Sequence, residues 1–381
     1  MSARPEGRMR EARIDVDAIA DNIRHLRRLV GTEVIAVVKA DGYGHGAVRA
    51  ATAALAGGAS RLGVADVGEA LALRRAGITA PVVAWLHAPD VDFRPAVEHG
   101  VELGISSFAQ LQAAAAAASV DQPAALHLKV ETGLGRNGVE PREWHRVCSE
   151  AARLERIGLV RVVGVFSHLS NTSPDDDRAA LARFHEALGE ASAAGIDPPL
   201  RHIAASNAAI SLPETRLNCV RIGIAMYGLS PLEGRTSADL GLRPAMTLRS
   251  TVAAVRRVPA GQGVSYGYTH RADAETTLAL IPLGYADGVP RQASGRGPVT
   301  IGGRRFTVAG RIAMDQFVVD VGDAPVAVGD PVVLFGDPTL GEPAAVEWAD
   351  AADTIDYEIV TRIGPRVQRT TVSSEATGGE R

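Results

Sequence analysis

The sequence predicts an α/β protein, with an N-terminal (β/α)8 TIM-like barrel followed by a C-terminal mostly-β domain. Two observations lead to this prediction. In the N-terminal part, eight short apolar runs alternate with helical stretches, which is typical of a (β/α)8 barrel. After Pro244, short β-rich segments are separated by turns that carry Gly, Pro and Asp, as in an all-β module. The predicted domains are residues 11–240 and 241–375.

The predicted barrel strands are apolar and rich in β-branched residues, as expected for buried parallel strands. They are Val34–Val38, Leu62–Ala65, Pro81–Trp85, Val101–Ile105, Ala125–Val130, Leu159–Phe166, Arg201–Ala205 and Cys219–Ile222. A doubly wound sheet is the alternative, but no Gly-x-Gly-x-x-Gly motif follows the first strand. In the second domain, Thr251–Val255 predicts a single strand, and the segment at Trp348 predicts one helical turn.

Composition excludes several classes of function. The chain has 381 residues, of which 46% are hydrophobic and 22% charged, and its net charge is -4. This charge gives no electrostatic reason to bind nucleic acid or an anionic membrane surface. The two cysteines, Cys148 and Cys219, have neither the spacing of a metal site nor that of a disulfide framework. With no apolar export or membrane-spanning segment in the sequence, we expect a cytoplasmic protein without a metal.

Candidate functional residues lie at or just after the ends of five of the predicted barrel strands. They are Lys39 with Tyr43, the segment 131–136, Ser167 with His168, Ser206 with Asn207, and the segment 221–224. The carboxyl ends of barrel strands lie at one face, where active sites of this fold are found. A lysine at such a strand end can act as a nucleophile toward an aldehyde if burial lowers its pKa. The alternative is a lysine that reaches past the strand end into water.

The last two strand ends predict a phosphate site. Backbone amides of Gly223 and Ile224, together with the Ser206 hydroxyl, can surround a phosphate next to Lys39. A phosphate-bearing aldehyde held there is pyridoxal 5'-phosphate, and Arg221 is placed to meet its ring nitrogen. Each residue also has a simpler interpretation: Arg221 in a surface ion pair, His168 as a buried structural histidine, and Ser206 as a helix N-cap.

Longer motifs resemble those of the alanine racemase family, the fold-type III pyridoxal-phosphate enzymes, over essentially the whole chain. The matching segments are residues 36–46, 129–136, 221–228, 264–267, 284–288, 310–316 and 357–363. Among them, the segment around Lys39 and the Met314-Asp315 pair are the most specific. The resemblance implies racemisation of L-alanine and D-alanine by two bases, supplying D-alanine for peptidoglycan.

The resemblance also implies a role for each matching residue. Lys39 binds the cofactor and is one base, and Tyr266, from the partner subunit of a homodimer with shared active sites, is the other. His168 lies beside Tyr266, with Arg221 beyond it. The phosphate contacts are Tyr43, Ser206, Gly223, Ile224 and Tyr357. Arg136 and the backbone of Met314 bind the substrate carboxylate, Lys129 is a possible carbamylation site, and Tyr285 and Asp315 are entrance or support residues.

The sequence departs from the family pattern at Glu131, Ala205 and His270. Because Glu131 is one methylene longer than the usual aspartate, we expect the loop carrying Arg136 to sit slightly differently. Two alternatives remain open: a racemase of broader specificity for serine, lysine or arginine, and a non-catalytic carrier of the cofactor. The bulk of Tyr357 and Met314 favours alanine over larger substrates, and the second domain favours an enzyme over a carrier.

Overall fold

The computed structural model describes residues 9–373. Its first strand, β1 (Glu11–Asp15), leads directly into helix α1 (Val16–Val30). The Asp15 carboxylate accepts a hydrogen bond from the Ala18 amide and so caps the start of α1. At the other end, Gly31 takes the left-handed conformation that ends many helices.

Eight parallel strands then form the predicted barrel. They are β2 (Glu33–Val37), β3 (Arg61–Val64), β4 (Val82–Ala84), β5 (Glu102–Ile105), β6 (Ala124–Lys129), β7 (Val160–Phe166), β8 (Leu200–His202) and β9 (Cys219–Ile222). The sheet order is β8-β7-β6-β5-β4-β3-β2-β9, so the first and last strands of the barrel are neighbours. Between β8 and β9, the Arg221 amide donates to the Ala204 carbonyl at 3.0 Å, which nearly closes the barrel. The barrel prediction is therefore confirmed.

Helical segments follow each barrel strand. They are α2 (Lys39–Tyr43), of which residues 40–43 form a left-handed turn, α3 (Ala47–Ala56), α4 (Val67–Arg75), α5 (Arg94–Glu98), α6 (Phe108–Ala116), α7 (Pro141–Arg156), α8 (Pro174–Ala193) and α9 (Ser206–Ser211), with a 3-10 turn, Ile224–Tyr227, after β9. The longest two pack together through Trp144, whose indole donates to the Ala187 carbonyl at 2.8 Å. Because every strand leads into a covering segment, the carboxyl ends of the strands carry the loops at one face of the barrel.

The second domain is mostly β-structure, as predicted. Its strands are β10 (Met246–Thr251), β11 (Ala254–Val258), β12 (Gly263–Val264), β13 (His270–Arg271), β14 (Thr276–Ile281), β15 (Pro298–Ile301), β16 (Arg304–Ala309), β17 (Phe317–Gly322), β18 (Pro331–Phe335) and β19 (Gln368–Val372). Two helices complete it, α10 (Ala345–Ala352) and α11 (Asp356–Thr361). The helical turn predicted at Trp348 is thus a full helix followed by another.

The single strand predicted at Thr251–Val255 is wrong. The chain leaves the β18 side at Val252, whose amide donates to the Asp330 carbonyl, and joins the β14 side at Ala253, whose amide donates to the Leu280 carbonyl. One apolar run therefore supplies the end of β10 and the start of β11, on two parts of the same sheet.

Strand β1 belongs to the second domain's sheet although it precedes the barrel. It lies between β10, to which it is antiparallel, and β19, to which it is parallel. The predicted barrel domain of residues 11–240 therefore begins with a strand that pairs outside the barrel. Pairings this distant in sequence leave no local signal, and the other limits of the two domains stay predictions.

Candidate active site

Lys39 lies at the end of the first barrel strand, on a backbone turn of unusual conformation. It is half-buried, and Ala40, Asp41, Gly42 and Tyr43 after it all have φ between 51° and 62°. Each non-glycine residue in this left-handed region costs roughly 1–2 kcal/mol, so surrounding contacts must hold the turn. Burial lowers the pKa of Lys39, and the positive charges of Arg136 and Arg221 lower it further, against the opposing effect of Glu69.

Glu69 in α4 is the main contact that holds this turn. Its Oε1 accepts the Ala40 amide at 2.7 Å and its Oε2 accepts the Ala65 amide at 2.8 Å, so one carboxylate joins the ends of two adjacent strands. Sequence reasoning missed this role because Glu69 falls on an amphipathic helix, where a solvent-facing charge is the usual interpretation. An acidic residue near the start of a barrel helix is the signal that could have indicated it.

We expect Glu69→Gln to destabilise the fold and to lower the pKa of Lys39 further. Glutamine has only one acceptor oxygen, so either the Ala40 or the Ala65 amide would lose its partner, at about 1–3 kcal/mol of unfolding free energy. Urea unfolding measures this loss, and Glu140→Gln, at an exposed ion pair with Arg142, serves as the control. Equal stability of the two variants would contradict the role of Glu69.

A group of hydroxyls and amides lies next to this turn. The Gly223 amide donates to Ser206 Oγ at 2.9 Å, and a Cβ on Gly223 would lie 2.5 Å from Tyr43 Oη. Tyr43 in turn packs against Tyr357, with ring centroids 6.3 Å apart. Burial raises the pKa of Tyr43 to about 12 and also raises that of Tyr357, so both hydroxyls remain protonated donors.

Within residues 9–373, neither tyrosine hydroxyl has a protein acceptor, and the Ile224 amide is not bonded to the protein. Several hydrogen-bond donors thus converge without partners, which is the arrangement that binds an anionic phosphate. The structure brings Tyr43, Ser206 and Gly223 together, with Tyr357 beside them. Helix α9 begins at Ser206 itself, so the interpretation of Ser206 as an N-cap is wrong.

Arg221 is buried, and its two terminal nitrogens, which carry four N–H groups, lie within hydrogen-bond distance of five acceptors, so one N–H of Nη2 is shared between two of them. The acceptors are Nδ1 of His202, Nδ1 of His168 and the carbonyls of Ser167, His202 and Ile203. Its Nε–H has no acceptor in the described part of the chain. Burial lowers the pKa of Arg221 to about 10, so the guanidinium remains charged at neutral pH. The interpretation of Arg221 as a surface ion pair is therefore wrong.

His168 lies 2.9 Å from Arg221 through its Nδ1. Burial, and then the charges of Arg221, Arg136 and Lys129, lower the pKa of His168 to about 2, so the ring is neutral. Because arginine can only donate, Nδ1 is an acceptor and the ring proton lies on Nε2. His168 therefore presents one N–H donor on the side away from Arg221.

The last residue of β6 and the loop after it bring two further cations, Lys129 and Arg136, to the site. Lys129 is buried, and its pKa is lowered to about 8 by burial and by the charges of Arg221 and Arg136. The loop carrying Arg136 is folded around Glu131, whose Oε1 accepts the amides of Gly133 at 2.6 Å and Gly135 at 3.1 Å. The longer side chain of Glu131 thus organises this loop itself. The excess of positive charge favours an anionic ligand.

The remaining predicted residues lie in the second domain, on its surface. Tyr266 is 71% exposed, Met314 53% and Tyr285 42%. The Ala286 amide donates to the Met314 carbonyl at 2.9 Å, which joins the two loops. Asp315 pairs with Arg366 at 2.8 Å. Among residues 9–373, no hydrogen bond, ion pair or ring contact joins Tyr266 to Lys39 or His168.

Sequence reasoning also missed His202, His127 and Glu102, which belong to barrel strands rather than to the loops that follow them: His202 is the last residue of β8, His127 lies within β6 and Glu102 is the first residue of β5. They extend the hydrogen bonds of Arg221 through the barrel. Polar residues within otherwise apolar strands are the signal that could have found them.

In the described residues, no helix is long and apolar enough to cross a membrane.

Comparison with known proteins assigns both halves of the chain. Residues 14–231 match the family "Alanine racemase, N-terminal domain" and residues 245–371 match "Alanine racemase, C-terminal domain". The chain is 53% identical to alanine racemase of Thermobifida fusca over 364 residues, which covers 94% of this chain and 97% of that protein.

Solved structures give the same result. The alanine racemase of D-cycloserine-producing Streptomyces lavendulae has a TM-score of 0.93 and 47% identity, covering 97% of this chain and 98% of that chain. The alanine racemase of Streptomyces coelicolor A3(2) has a TM-score of 0.93 and 48% identity, with coverage of 95% and 98%. The similarity therefore extends over both domains.

Proposed function

Because the chain belongs to the alanine racemase family and is an enzyme of the isomerase class, we propose that it interconverts L-alanine and D-alanine with pyridoxal 5'-phosphate as cofactor. The observation that carries this proposal is the convergence of unpartnered donors beside Lys39. The hydroxyls of Tyr43 and Tyr357 and the amide of Ile224 fit a phosphate, and the Nε–H of Arg221 fits a ring nitrogen. The residues present therefore fit this cofactor.

When bound, pyridoxal phosphate withdraws electrons from the substrate and so acidifies its Cα–H bond. The protein must then remove a proton from one face of that carbon and return one to the other face. Lys39, with its lowered pKa, is the base on one face. Tyr266 is the base on the other face, and it comes from a second copy of the chain. The exposure of Tyr266 and its lack of contact with Lys39 support this sharing.

His168 and Arg221 prepare the site for this proton exchange. The neutral ring of His168 can donate Nε2–H to the oxygen of an incoming Tyr266, which stabilises the deprotonated tyrosine. Arg221 remains charged and does not readily give up a proton. Arg221 would therefore leave a cofactor ring nitrogen that accepted its Nε–H unprotonated, which would limit electron withdrawal and favour racemisation over transamination.

Of the two cations at the end of β6 and in the loop after it, Arg136 binds the substrate and Lys129 supports Arg136. Arg136 is an exposed guanidinium that can pair with the carboxylate of alanine, together with the backbone of Met314 from the second copy. Because its pKa is lowered to about 8, a fraction of Lys129 is the neutral amine at neutral pH, and that form can add carbon dioxide and release a proton. The resulting negative charge would attract Arg136. Carbon-13 NMR after labelling with bicarbonate tests this addition, since a site without carbamate would give no bound signal.

The experiment that tests the proposed function is enantiomer-resolved turnover of the purified protein on alanine, serine, lysine and arginine. Fast interconversion of L-alanine and D-alanine, with little turnover of the others, is the expected result, and supply of D-alanine for peptidoglycan is then the role we propose. Comparable rates on serine or a basic amino acid would assign a broader racemase. No turnover with cofactor bound would assign a carrier and contradict the two-base mechanism.

A further inference from the structure

A line of buried hydrogen bonds crosses the barrel from Arg221 to Glu102. Arg221 Nη1 lies 2.8 Å from His202 Nδ1, His202 Nε2 lies 3.1 Å from His127 Nδ1, and His127 Nε2 lies 2.8 Å from Glu102 Oε2. The two histidines are 0% exposed and Glu102 is 5% exposed. A connected group of polar side chains at this depth requires every member to have its partner.

The direction of every hydrogen bond in this line follows from its two ends. Arginine only donates, so His202 Nδ1 accepts and the ring proton of neutral His202 lies on Nε2. His202 then donates to His127 Nδ1, which places the ring proton of His127 on Nε2. That proton is donated to the Glu102 carboxylate, which only accepts when ionised. A second ring proton on His202 Nδ1 would point at the N–H of Arg221, and one on His127 Nδ1 would point at the N–H of His202, so protonation of either histidine would break a hydrogen bond. Burial and the charge of Arg221 also lower the pKa of His202 well below its usual value.

The barrel backbone is adapted to hold His127. A Cβ on Gly164 of the neighbouring strand would lie 2.3 Å from His127 Nδ1, so a side chain there would displace the ring. The pairing of β6 with β7 also shifts register between Leu126 and His127. His202 is fixed from one face by Phe166, whose ring stacks on it at 4.9 Å and 10°. The position of each ring is therefore set by packing as well as by hydrogen bonds.

Glu102 is kept ionised at the far end of the line. Burial raises the pKa of Glu102, but the hydrogen bond from His127 and the charge of Arg61 outweigh burial and lower it. Arg61 Nε lies 3.3 Å from Glu102, and Arg61 Nη1 lies 3.1 Å from Glu33, an exposed carboxylate outside the line. A charged acceptor is thus maintained opposite the active-site end of the barrel.

We propose that Glu102 and His127 are positioning residues for Arg221 and His168. The Glu102 carboxylate selects the Nε2–H form of both buried histidines, which leaves His202 Nδ1 as the acceptor for Arg221. Arg221 is thereby oriented with its Nη2 on His168 and its Nε–H unpaired. This inference rests on the proposed function, in which those two groups meet the cofactor and the second base.

The test compares Glu102→Gln with Glu33→Gln in the cofactor-loaded enzyme. Both variants remove one acidic partner of Arg61, but only Glu102 belongs to the line. Glutamine can rotate and donate to His127 Nε2, which permits the opposite form of that ring. Nitrogen-15 NMR of the histidine rings identifies the tautomers directly. The kcat and KM for alanine then measure the effect of the tautomers on catalysis.

For the unmodified enzyme we expect His127 and His202 to be neutral and protonated on Nε2. In Glu102→Gln we expect mixed tautomers and a fall in kcat of about tenfold, with KM nearly unchanged. This is less than the roughly 10⁴-fold loss on neutralising a triad aspartate, because here the histidines do not react themselves. Glu33→Gln should match the unmodified enzyme in both readouts.

Two outcomes would overturn the proposal. One is Glu102→Gln with unchanged tautomers and kcat. The other is a nitrogen-15 NMR result in which His127 of the unmodified enzyme is protonated on Nδ1 or on both nitrogens. That measurement does not depend on whether a variant folds. Failure of the proposed function is distinguishable, since it would appear as absence of turnover in the unmodified enzyme, whatever the tautomers.

Discussion

Replacing Lys39 with alanine is expected to abolish turnover of both enantiomers, by more than roughly 10³-fold. Lys39 is the half-buried amine beside the proposed phosphate site, and burial lowers its pKa as a base requires. Tyr266→Phe should cause a comparable loss while leaving cofactor binding intact, because Tyr266 lies in the other domain and contacts none of the phosphate residues. Stopped assays with chiral separation measure both rates.

Mixing the two inactive variants distinguishes a shared site from a site within one chain. If each site takes Lys39 from one copy and Tyr266 from another, a mixed dimer contains one intact site and one doubly defective site. Random reassociation makes about half of the dimers mixed, so turnover should recover to about a quarter of the unmodified rate. The measurement is turnover after joint unfolding and refolding of the two variants.

The control for Tyr266→Phe is Tyr268→Phe, two residues away in the same turn and 57% exposed. It should keep full turnover. A mixture that stays inactive, although each variant refolds to a dimer alone, would contradict the exchange of Tyr266 between copies. An active Tyr266→Phe variant would contradict its role as a base.

The barrel, and the residues at its strand ends that form the proposed site, could be predicted because their signals are local. A buried parallel strand is a short continuous apolar run, and the residue after it lies at the catalytic face. Lys39, His168 and Ser206 could be selected by that rule, and Arg221 by its place near the end of its strand; the structure brings them to one end of the barrel. The chemistry of a strand end depends on residues a few positions apart, which sequence shows directly.

Other parts of the molecule depend on partners distant in sequence. Strand β1 pairs with residues 246–249 and 368–372, and no periodicity near residue 11 indicates this. His127 meets His202, 75 residues away, and Glu69 reaches back to Ala40. Tyr266 could be identified only through the family resemblance, because an exposed tyrosine on a β domain has no local mark of function. Its proposed partners lie on another copy of the chain.

Gly223→Ala is expected to weaken cofactor binding by roughly 10- to 100-fold, which corresponds to about 1–3 kcal/mol. The new methyl carbon would lie 2.5 Å from Tyr43 Oη and 3.2 Å from Tyr43 Cζ, closer than van der Waals contact allows. Tyr43 cannot move freely, because it is buried and its ring packs on Tyr227 at 5.0 Å. The clash must therefore displace the Tyr43 hydroxyl, which would bind phosphate, or the backbone of Gly223 that leads into the Ile224 amide. Equilibrium dialysis of the cofactor measures the change.

Gly189→Ala is the matched control, since a Cβ on Gly189 in helix α8 meets nothing within 4 Å. It should bind cofactor normally and gain up to about 1 kcal/mol of stability from helix propensity. Adding Tyr43→Phe to Gly223→Ala removes the closest contact but leaves the ring carbon at 3.2 Å. Because the closest contact is gone, the double variant should recover part of the cofactor affinity that the clash removes. The recovery is incomplete because Tyr43→Phe also removes a hydroxyl that would bind phosphate. Normal cofactor affinity in Gly223→Ala would show that phosphate does not bind between Tyr43 and Gly223.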